Sequence, residues 1–162
     1  MNECVLNLTP ECVWKEFHGI LAVPRPSKKE GKMVEYLINW AKEHKVEYIV
    51  EECGNVIMKA PATPGFEDRK TIILQAHTDM VCEKNEGTVH DFFCDGLELY
   101  EENGYLRAKG TTLGADNGVA VAVMLYVLDG AEGNLPSHPP IECLFTVSEE
   151  VGLEGANNFD YS

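Results

Sequence analysis

Three short stretches of this chain carry side chains suited to metal chemistry. The run Thr71-Ile-Ile-Leu-Gln-Ala76 delivers His77-Thr78-Asp79 at its end, and Gly114-Ala-Asp116-Asn-Gly118 and Ser148-Glu149-Glu150 follow. Together they read as most of a two-metal hydrolase site. Residues two apart on a strand share a face, so His77 and Asp79 can enter one pocket while Thr78 faces away. A ligand and its orienting carboxylate need that arrangement. Taken singly, each motif has a plainer reading. A His-x-Asp triplet recurs by chance, Asp116 alone is an ordinary cap or turn residue, and a Glu-Glu pair is most often solvated. The combination is what points to one site.

Each motif sits at the end of a regular element, where ligands bind in open α/β sheets. Thr71–Ala76 and Ile141–Val147 are expected strands that end at His77 and Ser148, and the apolar run Val119–Leu128 is an expected helix. Gly110 and Gly114 permit a tight entry to that helix, and its N-terminal dipole favours a carboxylate at Asp116. So uniformly apolar a helix needs protein on most sides.

Upstream, Thr9 as N-cap and Pro10 in the first turn predict a helix through Val13, Trp14, Phe17 and Ile20, stopped by Pro24 and Pro26. Ser27-Lys-Lys-Glu30 fits a capping box for a second helix to about His44. Strands are expected over Glu47–Glu51 and Asn55–Ala60, after a turn at Gly54-Asn55. A hairpin is expected from Leu97–Tyr100 and Tyr105–Lys109, and a short helix from Val151. A helical pair followed by strands predicts a layered α/β domain.

The composition narrows the function. With 162 residues and 44% hydrophobic content the chain can bury one sizeable core. A net charge of −14 repels phosphate backbones and argues against nucleic acid as a partner. The longest apolar run is about half of the ~20 residues needed to span a bilayer, so no membrane association is expected. Neither a secretory segment nor a Cys-x-x-Cys pair is present, which predicts reduced thiols and a cytoplasmic location. His90, His138, Cys82, Cys94 and Cys143 are assigned no role.

From Trp14 to about Ala156 the chain resembles the co-catalytic zinc aminopeptidase and deacylase superfamily, and within it the aminoacyl-histidine dipeptidases. The resemblance rests on the proline pair and its following helix, on Gln75-Ala-His77-Thr-Asp79-Met-Val81, and on Thr88-Val-His90-Asp-Phe92. It rests further on Thr111-Thr-Leu-Gly-Ala-Asp116-Asn-Gly118 and Ser148-Glu149-Glu150-Val-Gly152. It implies a phosphorylase/hydrolase-like zinc peptidase catalytic domain, α/β with a mixed sheet flanked by helices.

Carried over residue by residue, it implies that His77 binds the first of two zinc ions, Asp116 bridges both and Glu150 binds the second. Asp79 would accept the other ring N–H of His77 and fix its orientation. Glu149 would be the general base, taking a proton from the attacking water and returning it to the leaving amine. Manganese or cobalt could stand in for zinc. The implied substrate is a dipeptide, Xaa-His included, recognised by its free amine. The superfamily pattern continues beyond Glu150 to a further metal-binding aspartate, a lid domain and a later histidine. Residues 1–162 are therefore expected to be the N-terminal portion of the catalytic domain, inactive alone, of a parent that forms a homodimer through its lid. A sibling deacylase or tripeptidase, and a non-catalytic chain that binds a metal or partner, are the alternatives.

Overall fold

The computed structural model describes residues 2–130 and 136–160. A short helix α1 (Glu3–Leu6) precedes α2 (Glu11–Leu21), which buries Val13, Phe17, Ile20 and Leu21 as the helical spacing requires. α2 starts one residue later than expected. Pro10 has φ −76° and ψ 130°, an extended conformation, so it occupies the N-cap position and not the first turn. The second helix, α3 (Gly31–Glu43), buries Met33, Leu37, Trp40 and Ala41. Its expected capping box does not form: Glu30 is the N-cap residue and no side chain caps the helix. Ser27 bonds instead to a distant residue described below, and Glu30 accepts the Lys28 N–H at 3.0 Å while also bonding to a distant turn.

β1 (Glu47–Val50), β2 (Val56–Ala60) and β3 (Ile72–His77) follow, close to their expected bounds. β4 (Leu99–Glu102) and β5 (Tyr105–Ala108) form a separate hairpin. Asn103 and Gly104 turn it with φ 55° and 79°, the positive-φ pair of a tight hairpin. β4 begins two residues later than expected. Leu97 is buried and its N–H donates to the Leu21 carbonyl at 2.8 Å, anchoring the hairpin to the end of α2 rather than extending it.

α4 (Ala115–Asp129) carries the apolar run and buries Val121, Ala122, Met124, Leu125 and Leu128, with Val123 40% exposed. β6 (Ile141–Thr146) and a short α5 (Glu154–Asn157) complete the described chain. α5 begins later than the expected Val151, because Gly152 and Leu153 lie at positive φ (124° and 58°), outside the helical region.

The main sheet has strand order β1-β2-β6-β3. β6 pairs antiparallel with β2 (Met58↔Cys143) and parallel with β3 (Ile72↔Ile141 to His77↔Thr146), so the sheet is mixed as expected. This register puts Val56, Met58, Ile141, Cys143, Phe145 and Ala76 on one face, which α3 and α4 cover to form the core. The alternate residues Ile73, Gln75, His77, Glu142, Leu144 and Thr146 lie on the other face, where Ile73 is 66% exposed. Among the described residues no helix is long and apolar enough to cross a membrane.

Candidate metal centre

Because β3 and β6 run parallel and in register, His77 opposite Thr146, their following turns emerge side by side. That juxtaposition brings His77-Thr78-Asp79 against Ser148-Glu149-Glu150. The third segment arrives from α4: Gly114 turns the chain at φ 63°, and Asp116 (φ −85°, ψ 106°) is still extended before the regular helix begins.

His77 Nε2 lies 3.0 Å from Asp116 Oδ1 and 3.7 Å from Glu149 Oε2. One donor atom from each of His77, Asp116 and Glu150 falls within 4.8 Å of the other two. The three expected ligands are thus brought together, with Glu149 at their margin. His77 is buried, whereas the Asp116 side chain is 86% exposed, so the cluster opens outward from a fixed imidazole. A cavity of about 260 Å³ adjoins it, lined by Gln75, His77, Asp116, Thr146, Glu149 and Leu153. Its size is near the lower end for small-molecule pockets.

The tautomer of His77 follows from its neighbours. Nδ1 is 3.0 Å from the Asp79 carbonyl oxygen, which can only accept, so Nδ1 carries the proton and Nε2 turns its lone pair toward Asp116. An imidazole lone pair facing a carboxylate oxygen at 3.0 Å needs a positive centre between them, a proton or a metal cation. With a proton there, burial disfavours the charged ring, but the carboxylates of Asp79 and Asp116 outweigh it and hold His77 up at about 9. One nitrogen and two carboxylate oxygens also suit zinc, manganese or cobalt, whose ligand distances are roughly 2.0–2.2 Å for zinc. The residues present therefore fit a divalent metal.

Asp79 is completely buried. Its carboxylate is 3.4 Å from His77 Nδ1, and it also accepts the N–H of Glu149 at 2.9 Å, the N–H of Glu150 at 3.2 Å and the Ser27 hydroxyl at 2.7 Å. Burial raises its pKa, yet the bonds from His77, Ser27, Glu149 and Glu150 prevail and bring it down to about 2. Asp79 thus holds the histidine chiefly through its backbone carbonyl and the turn that bears both glutamates through its carboxylate.

Supporting residues that the sequence reading passed over complete the frame. Glu30 accepts the Ser148 N–H at 2.8 Å and the Ser148 hydroxyl at 2.9 Å. Asn55, also fully buried, accepts the Val147 N–H at 3.2 Å and donates to the Gly155 carbonyl at 2.9 Å. In sequence Ser27 and Glu30 have the spacing of a helix cap and Asn55 that of a turn, so no local signal separates these roles. His90 packs edge-on against Phe92 and His138 faces the Pro139 carbonyl; neither joins the donor cluster. All six cysteines are free, and Cys143 lies in the core, where burial pushes its thiol up to about 12.

Comparison with known proteins gives a consistent setting. The model of peptidase family M28 matches residues 55–161. The chain is 44% identical over 149 residues to the cytosol non-specific dipeptidase of Escherichia coli K12, covering 92% of this chain and 30% of that protein. The crystal structure of aminoacylhistidine dipeptidase from Vibrio alginolyticus superposes with a TM-score of 0.91 at 43% identity, over 99% of this chain and 33% of that one. Aminopeptidase PepT from Bacillus cereus matches with a TM-score of 0.74 at 28% identity, over 93% of this chain and 39% of that one. The chain therefore spans about a third of the length of these relatives.

Proposed function

We propose that this chain, which belongs to peptidase family M28, provides the metal-holding part of a dipeptidase. His77, Asp116 and Glu150 would hold the metal. Zinc is the favoured metal, with manganese or cobalt as substitutes. When bound, the metal supplies Lewis acidity, which lowers the pKa of a coordinated water and polarises the scissile carbonyl.

The chain's own residues do the rest. The Nδ1–H of His77 is held by Asp79, which keeps Nε2 free to coordinate. Glu149 stands beside the donor cluster and not within it, its side chain a third exposed, so it can take a proton from water and return it to the departing amine. Asp79 fixes the position of that glutamate through its backbone N–H. The adjoining cavity offers room for a small substrate group.

For the whole protein the same reading gives hydrolysis of dipeptides, Xaa-His among them, in the cytoplasm by a homodimer. Residues 1–162 are then the N-terminal portion of its catalytic domain. Support comes from the dipeptidase relatives and their greater length. The observation that carries the reading is the convergence of His77, Asp116 and Glu150 with Glu149 adjacent.

Equilibrium dialysis of the full-length protein against zinc, followed by a dipeptide panel, tests it. Zinc should bind and be lost in His77→Ala and Asp116→Ala, and chelators should abolish Xaa-His cleavage. A full-length protein that takes up no metal would overturn the ligand assignment. Preference for tripeptides or acylated amino acids would move the protein to a sibling activity, and metal uptake without any cleavage would make it a binding protein.

A further inference from the structure

Arg25 is among the largest fully buried side chains, 2% exposed, and the metal-site reading gives it no task. Burying a guanidinium is costly unless its N–H groups find acceptors. Here the two terminal nitrogens find three backbone carbonyls, while Nε is buried without a partner. Nη1 donates to Thr78 O at 3.1 Å and Asp79 O at 3.3 Å, and Nη2 donates to Gly114 O. The first two carbonyls follow His77 directly, and the third lies two residues before Asp116. The Asp79 carbonyl is also the one that holds His77 Nδ1.

Two glycines make room for this fork. A Cβ at Gly114 would come within 2.5 Å of Nη2, and one at Gly118 within 2.8 Å. Burial draws the guanidinium down to about 10, which still leaves it charged at neutral pH. A planar fork suits simultaneous bonding to two separate loops, which an ammonium on a flexible stem does not reproduce.

We propose that Arg25 is a positioning residue whose guanidinium sets the spacing between the His77 loop and the Asp116 loop, holding both donors ready for a common cation. The proposal rests on the ligand reading above for its effect on metal, but not for its effect on spacing.

Arg25→Lys, which keeps the charge and loses the fork, is the main variant. Gly118→Ala, which keeps Arg25 and crowds Nη2, is the second. Each variant of the full-length protein is checked for folding by circular dichroism, titrated with zinc by calorimetry, and crystallised metal-free. Folded Arg25→Lys should bind zinc at least about tenfold more weakly, the scale of losses when a ligand's support is removed. Its His77–Asp116 contact should open beyond 3.0 Å. Gly118→Ala should move both readouts the same way by a smaller factor. A folded Arg25→Lys chain with wild-type affinity and an unmoved contact would reduce Arg25 to a core residue and overturn the proposal. If wild type itself takes up no zinc, the ligand reading falls and the crystallographic spacing alone decides on Arg25. If Arg25→Lys does not fold, Gly118→Ala decides.

Discussion

A histidine–aspartate contact stands at each end of the main sheet, and only one of them lies in a cluster of metal-capable donors. At the C-terminal ends of β3 and β6, His77 meets Asp116 at 3.0 Å. At the other end, near Ile141 where β6 begins, His44 meets Asp129 at 2.6 Å. The shorter contact is the one outside that cluster. His44 and Asp129 are about equally exposed (26% and 31%), and the His44 ring stacks on Trp40 with centroids 4.1 Å apart, so the pair fastens α3 to α4. His77 is buried, backed by a carboxylate with no exposure, and faces two further acidic residues; among the described residues it is in the one group of three metal-capable donors. A close ion pair by itself is weak evidence of function, whereas convergent donors on a rigid support are strong evidence.

Substitutions should separate the two ends sharply. The largest effect is expected in the full-length enzyme: Glu149→Ala should lower turnover by roughly 10²–10⁴-fold, the range for a general base, with metal content largely kept. Equal loss of bound metal, measured by atomic absorption, would make Glu149 a ligand. Next, His77→Ala should weaken zinc binding by about 100-fold or more, beyond the range for loss of a supporting residue. Asp79→Ala should follow, with zinc binding down by roughly 10–100-fold. It should also cost about 3 kcal/mol in urea unfolding, because the Glu149 and Glu150 N–H groups lose their acceptor.

A pH series probes the same contrast. In metal-free chain the pKa of His77 is raised from 6.5 to about 9, so its contribution to stability is complete below pH 6.5 and disappears as the pH rises through about 9. Asp79 is lowered from 3.8 to about 2, so its contribution is present above pH 3.8 and disappears as the pH falls toward about 2. Thermal melts with chelator should show both limbs, and His77→Ala should erase the alkaline one. His44→Ala should give the smallest effect. Zinc affinity should not change and stability should drop by about 1 kcal/mol or less. A large loss of metal binding in His44→Ala would collapse the distinction between the two ends.

Much of this was legible in the chain. Period-2 and helical spacing located β2, β3, β6, α3 and the apolar part of α4, since apolar residues must face a core whichever fold supplies it. The ligand candidates His77, Asp116 and Glu150, and the general-base candidate Glu149, were legible because they stand where elements end. The errors cluster where a side chain has a distant alternative partner. Ser27 and Glu30 have the letters of a helix cap, but Ser27 bonds to Asp79, 52 residues away, and Glu30, besides the Lys28 N–H, to Ser148, 118 residues away. Arg25 was overlooked for the same reason: between two prolines it resembles any loop arginine.

The residue types and their local spacing determined which groups could do chemistry and which elements would carry them, because donor chemistry and backbone periodicity are local properties. Only the tertiary structure decided that β3 would lie parallel to β6 with His77 level with Thr146, and that Asp116 would swing in from α4 to meet them. It also decided that buried Arg25, Asp79 and Glu30 would hold the three turns in place. Strand pairing and buried hydrogen bonds join residues many positions apart, and their acceptors are fixed by the packed core rather than by neighbours in the chain.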